Sequence, residues 1–356
     1  MITNSIPTDL SAVMGEFPLP MAPGHRVRLG VIGLGGVAMR CHLPALAFLR
    51  AQGWPVEVCA LCDRDAGRLS AAGVFWPDAQ AFTEAEQLLA HPGIDGVLVL
   101  TWPPLTAKLC EQAASRGLVV FAEKPVAEDA GEVDALAHRL AMHGARVQVG
   151  YNRRHQIGAT AFKAGLAGRG DIEAVTARLW RDHRSEPGFY EDTLVHPLDL
   201  LLWVFGPLDL VDVRASAPRA DTALFSALQI RLATRSGVQV GLDVRPAVGR
   251  TLEIIEVLTP EETQVLGYSG VEPHTDPAEL AVFREGKRMA RYTLSPSVNT
   301  PEAMTYARGF IHQMAAFVRF VANLDTVSPC TLAEGAERLR LRDAILKRVR
   351  AESSTR

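Results

Sequence analysis

Apolar positions between residues 27 and 150 fall into short continuous runs separated by stretches with helical spacing. Val27–Ile32, Val56–Cys62, Ile94–Leu100, Leu118–Ala122 and Arg146–Gly150 read as buried strands. The spacing through Leu43, Leu46, Ala47 and Leu49 predicts a helix after the first strand. Ala66–Ala72, Phe82–Leu89, Leu105–Arg116 and Glu128–His143 are predicted as further helices, and Gly117 stops the one before it. Strand and helix alternating with short connections imply an α/β unit, a doubly wound parallel sheet covered on both faces.

Beyond residue 150 the pattern changes. Ile172–Trp180, Val211–Ala215, Ala223–Thr234, Val238–Val244 and Thr251–Leu258 are strand-like with few helices between them, which predicts an α+β domain with a largely antiparallel sheet. Residues 302–323 form one long helical pattern, and 332–350, rich in Arg and Lys, form another. The expected organisation is a Rossmann-type domain over 25–150, an α+β domain over 151–330 and a C-terminal helix within 331–356. Residues 1–24 carry Pro7, Pro18, Pro20, Pro23 and Gly24 without lasting periodicity. They read as a flexible arm or as a segment strapped onto a partner subunit.

Composition narrows the class. A chain of 356 residues is longer than one core usually serves. Its 37 Lys and Arg against 40 Asp and Glu give a net charge of −3, no field for nucleic acid or an anionic membrane. No apolar run approaches the roughly 20 residues that span a bilayer. The N-terminus lacks a basic start followed by an apolar stretch, so a cytoplasmic protein is expected. Cys59 and Cys62 form a C-x-x-C, but on a strand positions three apart face opposite sides, and no second pair with zinc spacing exists. No metal site is expected.

Chemistry concentrates at the ends of the predicted strands. Gly33-Leu34-Gly35-Gly36-Val37-Ala38 fits G-x-G-x-x-G/A after a strand and at the opening of a helix. Gly33 permits the tight turn, Gly35 lets backbone approach a pyrophosphate, and Ala38 allows close helix–strand packing. Asp63 ends the second strand, where a carboxylate accepts from ribose hydroxyls and favours NAD. Arg64 beside it suits a 2′-phosphate, so NADP stays possible. Lys124, in Glu123-Lys124-Pro125, follows a parallel strand at the carboxyl edge of the sheet, where an ammonium can polarise a substrate oxygen. Pro125 keeps it extended and is a candidate cis proline. His196 precedes Pro197 and the spacing Leu198, Leu201, Leu202 and Phe205, a buried helix stopped by Gly206-Pro207. Asp192 lies one turn before His196 and Asp199 one turn after, which helical spacing would bring to one side. A carboxylate-supported histidine there can accept an alcohol proton; a helix-cap histidine is the plain alternative.

Gly33–Ala38, Asp63, Glu123-Lys124-Pro125, Gly150-Tyr151-Asn152-Arg153-Arg154 and Asp192-x-x-x-His196-x-x-Asp199 occur in this order and at spacing similar to that of the glucose–fructose oxidoreductase / inositol dehydrogenase family, Gfo/Idh/MocA. The resemblance covers about residues 26–350. It implies an N-terminal Rossmann domain, an open, mostly antiparallel sheet that forms the substrate site and an oligomer interface, and a last helix returning to the Rossmann domain. By resemblance Lys124, Asp192 and His196 are the catalytic set. The glycine turn, Asp63, Arg64, Thr101-Trp102-Pro103, Glu123 and Lys124 take the dinucleotide. Asn152, Arg153 and Arg154 match a segment near substrate and nicotinamide, or are a solvated strand end. Arg181, His183 and Arg184 form a basic cluster that suits an anionic substrate such as a sugar acid, or a solvated loop.

This sequence departs from the family pattern at Thr106, where many members have His, in Pro187–Glu191, which lacks the paired glycines, and at Leu194, where many have Gly. These changes are expected to reshape the pocket wall. The reading is an NAD(P)-dependent oxidoreductase of a sugar, cyclitol or derivative, working as a homodimer or homotetramer. A redox-assisted glycosidase and a non-catalytic dinucleotide sensor are the alternatives.

Overall fold

The computed structural model describes residues 26–156, 158–217, 225–268, 278–294 and 308–353. The arm expected over 1–24 lies outside them. The described residues make two compact units, one from 26–152 with 308–337 and the other from 153–294 with 338–353.

In the first unit, β1 (Val27–Ile32), β2 (Val56–Cys62), β3 (Gln80–Phe82), β4 (Gly96–Val99), β5 (Val119–Ala122) and β6 (Val147–Val149) form a six-stranded sheet ordered β3-β2-β1-β4-β5-β6. Every pairing is parallel. The central strands read as unbroken apolar runs because both faces are covered. The helices are α1 (Leu43–Ala51), α2 (Ala66–Gly73), α3 (Ala85–Leu89), α4 (Pro103–Ala114) and α5 (Ala130–Met142). Where a helix was expected over Phe82–Leu89, the chain makes β3 and then the shorter α3. β3 is a three-residue edge strand with two exposed positions, so no apolar run betrays it. Strand order reverses between β1 and β4, and doubly wound sheets bind ligands at the carboxyl side of such a switch.

The second unit holds β7 (Ala174–Trp180), β8 (Leu208–Ala215), β9 (Leu228–Thr234), β10 (Gln239–Arg245), β11 (Leu252–Leu258), β12 (Glu262–Tyr268), β13 (Ala278–Arg284) and β14 (Lys287–Leu294). They form one sheet ordered β14-β13-β12-β11-β7-β10-β9-β8, antiparallel except between β7 and β10 among the described residues. Alternate residues such as Val175, Ala177 and Leu179 face a core completed by α6 (Ala159–Leu166), α7 (Phe189–Thr193) and α8 (Val195–Phe205).

The late helices differ from expectation. α9 (Phe310–Val321) belongs to the first unit, where Ile311, Met314, Phe317 and Val318 join Leu43, Leu46 and Leu49 of α1 in one core. α10 (Leu332–Ser353) was expected to return to the Rossmann domain. From residue 338 on it belongs to the second unit instead, because Leu341, Ile345, Leu346 and Val349 fill that unit's core.

Candidate active site

In the first unit the glycine turn is built as its spacing requires. Gly33 has φ +90°, and a Cβ on it would lie 2.6 Å from the Leu100 carbonyl oxygen, so only glycine fits. A Cβ on Gly35 would meet nothing within 4 Å, which leaves that backbone open to an incoming group. Ala38 is buried and starts a wide-pitched turn, Ala38–His42, that runs into α1. Gly33 and Gly35 border a cleft of about 600 Å³ together with Asp63, Arg64, Thr101 and Trp102, the last 66 % exposed. Its size and open glycine backbone fit a dinucleotide. Leu34 is buried, and its amide donates to Asp63 Oδ2 at 2.8 Å. Asp63 therefore braces the glycine turn besides facing the cleft.

Thr106 is fully buried on α4 rather than on the pocket wall as expected. Its hydroxyl pairs with the Thr101 hydroxyl at 2.8 Å and bonds the Trp102 carbonyl at 3.1 Å, fixing the loop from below. Glu123 is held by its neighbours. Oε1 lies 2.8 Å from His42 Nε2, and Oε2 accepts the Lys124 amide at 2.9 Å. The Lys124–Pro125 peptide is cis, and Lys124 is half-buried. His42 is completely buried, edge-on to Phe121 and Phe310. Sequence reasoning missed His42, and also Arg68 and Lys108 on the cleft wall. His42 follows the fingerprint by four residues, but its partner is 81 residues away.

Asn152, the last described residue of this unit before the chain crosses over, donates through Nδ2 to the Arg308 carbonyl at 2.9 Å. It is buried and not part of a solvated strand end.

The second unit presents His196 half-buried in the first turn of α8, beside a small cavity lined also by Arg153, Gln156, Arg178 and Glu253. Glu253 organises this place and was missed, because nothing in its own strand distinguishes it from an outward polar residue. Arg153 grips it through Nε at 2.7 Å and Nη2 at 2.6 Å, and Arg181 Nη2 reaches Oε1 at 2.6 Å. Burial works against the charge, yet the two guanidiniums, with His196 adding to them, hold the Glu253 carboxyl far below the usual carboxylate range.

Asp192 is exposed on α7, while Asp199 is fully buried on α8. Helical spacing therefore does not bring the two acids to one side of His196. Asp199 is consumed in the core, accepting from Arg154 Nη2 at 2.6 Å and Arg338 Nε at 3.0 Å. The basic cluster is also matched by acids. Arg181 is bound to Glu253, Arg184 to Glu186, and His183 is exposed. Among the described residues no cluster of three or more His, Cys, Asp or Glu is placed to hold a metal ion.

A switch-point cleft lined by a glycine turn and an aspartate defines a Rossmann-fold, dinucleotide-dependent oxidoreductase. Residues 27–151 match the model of the Gfo/Idh/MocA oxidoreductase family, with its NAD-binding Rossmann fold. The chain is 28% identical to inositol 2-dehydrogenase of Agrobacterium fabrum over 276 residues, covering 74% of this chain and 78% of that one. Inositol 2-dehydrogenase 3 of Saccharopolyspora erythraea is 27% identical over 280 residues, 75% and 78% of the two chains. Among solved structures, a 3-ketoreductase from Actinomadura kijaniata in complex with NADP and TDP-benzene shares the fold, with TM-score 0.72 and 20% identity over 91% of this chain and 98% of that one. An oxidoreductase from Agrobacterium radiobacter in complex with NAD+, L-tartaric acid and magnesium gives TM-score 0.75 at 17% identity, over 92% and 97%. No helix among the described residues is long and apolar enough to cross a membrane.

Proposed function

We propose that this chain is an NAD(P)-dependent dehydrogenase or reductase acting on the CH–OH or keto carbon of a sugar, cyclitol or related polyol. The observation that carries the reading is the Gly33 turn, where positive φ and the Leu100 carbonyl leave room only for glycine beside a cleft of dinucleotide size. When bound, the dinucleotide exchanges a hydride with the substrate carbon at its nicotinamide ring.

The protein's own residues handle the proton and the oxygen. His196, in the first turn of α8, takes the hydroxyl proton on oxidation and returns it on reduction. Asp192 supports the charged imidazole, and Lys124 holds the reacting oxygen. Asn152, Arg153 and Arg181 serve the substrate pocket as framework, since each has a protein partner of its own. Arg181 is tied to Glu253, which Arg153 shares, and Arg184 to Glu186, so the cluster's guanidiniums are already held by protein acids, which favours an uncharged polyol over a sugar acid. The inositol dehydrogenases among its relatives support the cyclitol class. The reading also makes the chain a cytoplasmic homodimer or homotetramer, which light scattering on the purified protein tests.

The experiment is a screen of cyclitols and sugars with NAD and NADP, following reduced nicotinamide. Net reduced cofactor is expected, whereas a redox-assisted glycosidase regenerates its cofactor and accumulates none. His196→Ala is expected to cut turnover with dinucleotide affinity nearly unchanged. Turnover like that of the unaltered enzyme would remove His196 from the proton step.

A further inference from the structure

A carboxylate of the protein's own sits beside His196 where two guanidiniums converge. Glu253 enters from β11, at a position paired with Leu179 of β7. Arg153 comes from the short turn Asn152–His155, and Arg181 directly follows β7. The Arg153 contact is a two-pronged fork, Nε to Oε2 at 2.7 Å and Nη2 to Oε1 at 2.6 Å. Arg181 Nη2 adds a third bond, to Oε1, at 2.6 Å. Such a fork is the general way in which a guanidinium takes a carboxylate. None of the three side chains is more than 15% exposed. Among the described residues that line the cavity, Glu253 is the one acid, against Arg153, Arg178 and His196.

Two features distinguish this place from a simple ion pair. One carboxylate answers two guanidiniums, so the cluster keeps an excess of positive charge. Burial lowers the pKa of Arg181, and Glu253 is the largest influence acting the other way, so the charge there leans on an anion. Beyond its Cβ, the Glu253 side chain consists of one methylene and a carboxylate, the heavy atoms of an acetate ion. A free carboxylate in the same position would make the same three bonds. Glu253 prevails over it because the backbone already holds it there, whereas a free acid must give up translational freedom. Its negative charge also repels a second anion.

We propose that Glu253 is a resident carboxylate filling a two-arginine anion pocket beside His196, and that it restricts the site to uncharged substrates. Without it, the pocket takes a free carboxylate, including that of a sugar acid. Glu253 is thus a specificity-determining residue. This role rests on the reading of His196 as the residue that handles the substrate proton.

The test begins with thermal melts of the parent, Glu253→Ala and Glu253→Gln in matched sodium acetate and sodium chloride at one pH. Acetate is expected to raise the Tm of Glu253→Ala saturably and to leave the parent where chloride leaves it. Glu253→Gln, whose amide fills the same space, should gain far less. Assays with NAD and NADP then compare neutral sugars and cyclitols with the sugar acids gluconate and glucuronate. Relative to the parent, Glu253→Ala should shift kcat/KM toward the acids by about tenfold or more. Folding of Glu253→Ala in acetate alone would support the pocket in the same way. If it folds in neither salt, Glu253→Gln decides, because loss of the charge should still improve the ratio of acid to polyol turnover. An unchanged ratio would overturn the proposal. So would an equal acetate response in the parent, no response in Glu253→Ala, or a parent that already prefers the acids. A parent that turns over no polyol, while acetate still stabilises Glu253→Ala, would overturn the dehydrogenase reading and leave the pocket standing.

Discussion

The imidazole of His42 and the carboxylate of Glu123 meet at 2.8 Å, Nε2 to Oε1, with His42 wholly out of solvent. The other Glu123 oxygen holds the amide of Lys124. A residue of the fingerprint helix thereby braces, through one carboxylate, the backbone of the lysine assigned to the substrate oxygen. Glu123→Ala leaves a buried imidazole without this acceptor, at a cost of about 1–3 kcal/mol. The expected result is a lower Tm together with a fall in kcat larger than the change in dinucleotide Kd. A variant with unaltered kcat would show that Lys124 needs no such support.

The buried Asp199 ties Arg154 and Arg338 to the helix that carries His196. Asp199→Ala removes the carboxylate that two guanidiniums share in a core where their side chains are 3% and 2% exposed, and removing one partner from such a cluster costs about 3–5 kcal/mol. Urea denaturation should show that loss in full. A variant as stable as the parent would mean that water reaches both arginines.

Two glycines two positions apart should respond differently to alanine. Gly33→Ala meets a carbonyl oxygen at 2.6 Å in a positive-φ conformation and should lose on the order of 2 kcal/mol of stability or more. Gly35→Ala meets no protein atom within 4 Å, so the melting temperature should hold while NAD affinity falls. Paired thermal melts and NAD titrations decide it. Equal stability losses would contradict the open backbone at Gly35.

His312 on α9 gives the stability a pH dependence. Burial pushes its pKa down from 6.5 to about 4, so the folded protein prefers the neutral ring. The unfolded chain takes up a proton first as pH falls. The contribution is complete above pH 6.5, declines between 6.5 and about 4, and amounts to about 3 kcal/mol in all. The depressed Glu253 carboxyl acts lower on the scale: its stabilisation is present above the ordinary value of 4.5 and is lost as pH falls below it. Urea melts at pH 8, 6 and 5 should show the decline for the parent protein and a shallower one for His312→Gln. Identical slopes would rule His312 out as the source.

The parallel sheet was readable because its strands are unbroken apolar runs and its glycine turn has few structural substitutes. β12 was not. Its inward positions are Glu262, Gln264 and Leu266, so the alternation that marks a half-buried strand is inverted at two of three places. Those polar groups are tolerated because Arg169 donates to Glu262 at 2.8 Å, Arg284 at 2.7 Å, and Gln264 to the same carboxylate at 2.7 Å. Such compensation depends on partners far along the chain. The same holds for Glu253, whose arginines come from positions 153 and 181. His196 and Lys124 stand out in the sequence because local punctuation, a proline after each, marks their place. Asp199 was placed beside His196 by helical spacing, but it faces the core.

The chain leaves the first unit after Asn152 and rejoins it only near residue 308. All six parallel strands emerge early from a ribosome, yet the helix that covers Leu43, Leu46 and Phe121 is made more than 150 residues later. Arg146, whose guanidinium lies 4.2 Å over the Phe320 ring, waits equally long for its partner. An N-terminal fragment ending at Asn152 would therefore carry the complete sheet and the dinucleotide turn while exposing a bare apolar flank. Synthesis of this protein must pass through a long interval in which its most recognisable half is unfinished, and chaperones that hold apolar surfaces have their longest opportunity there.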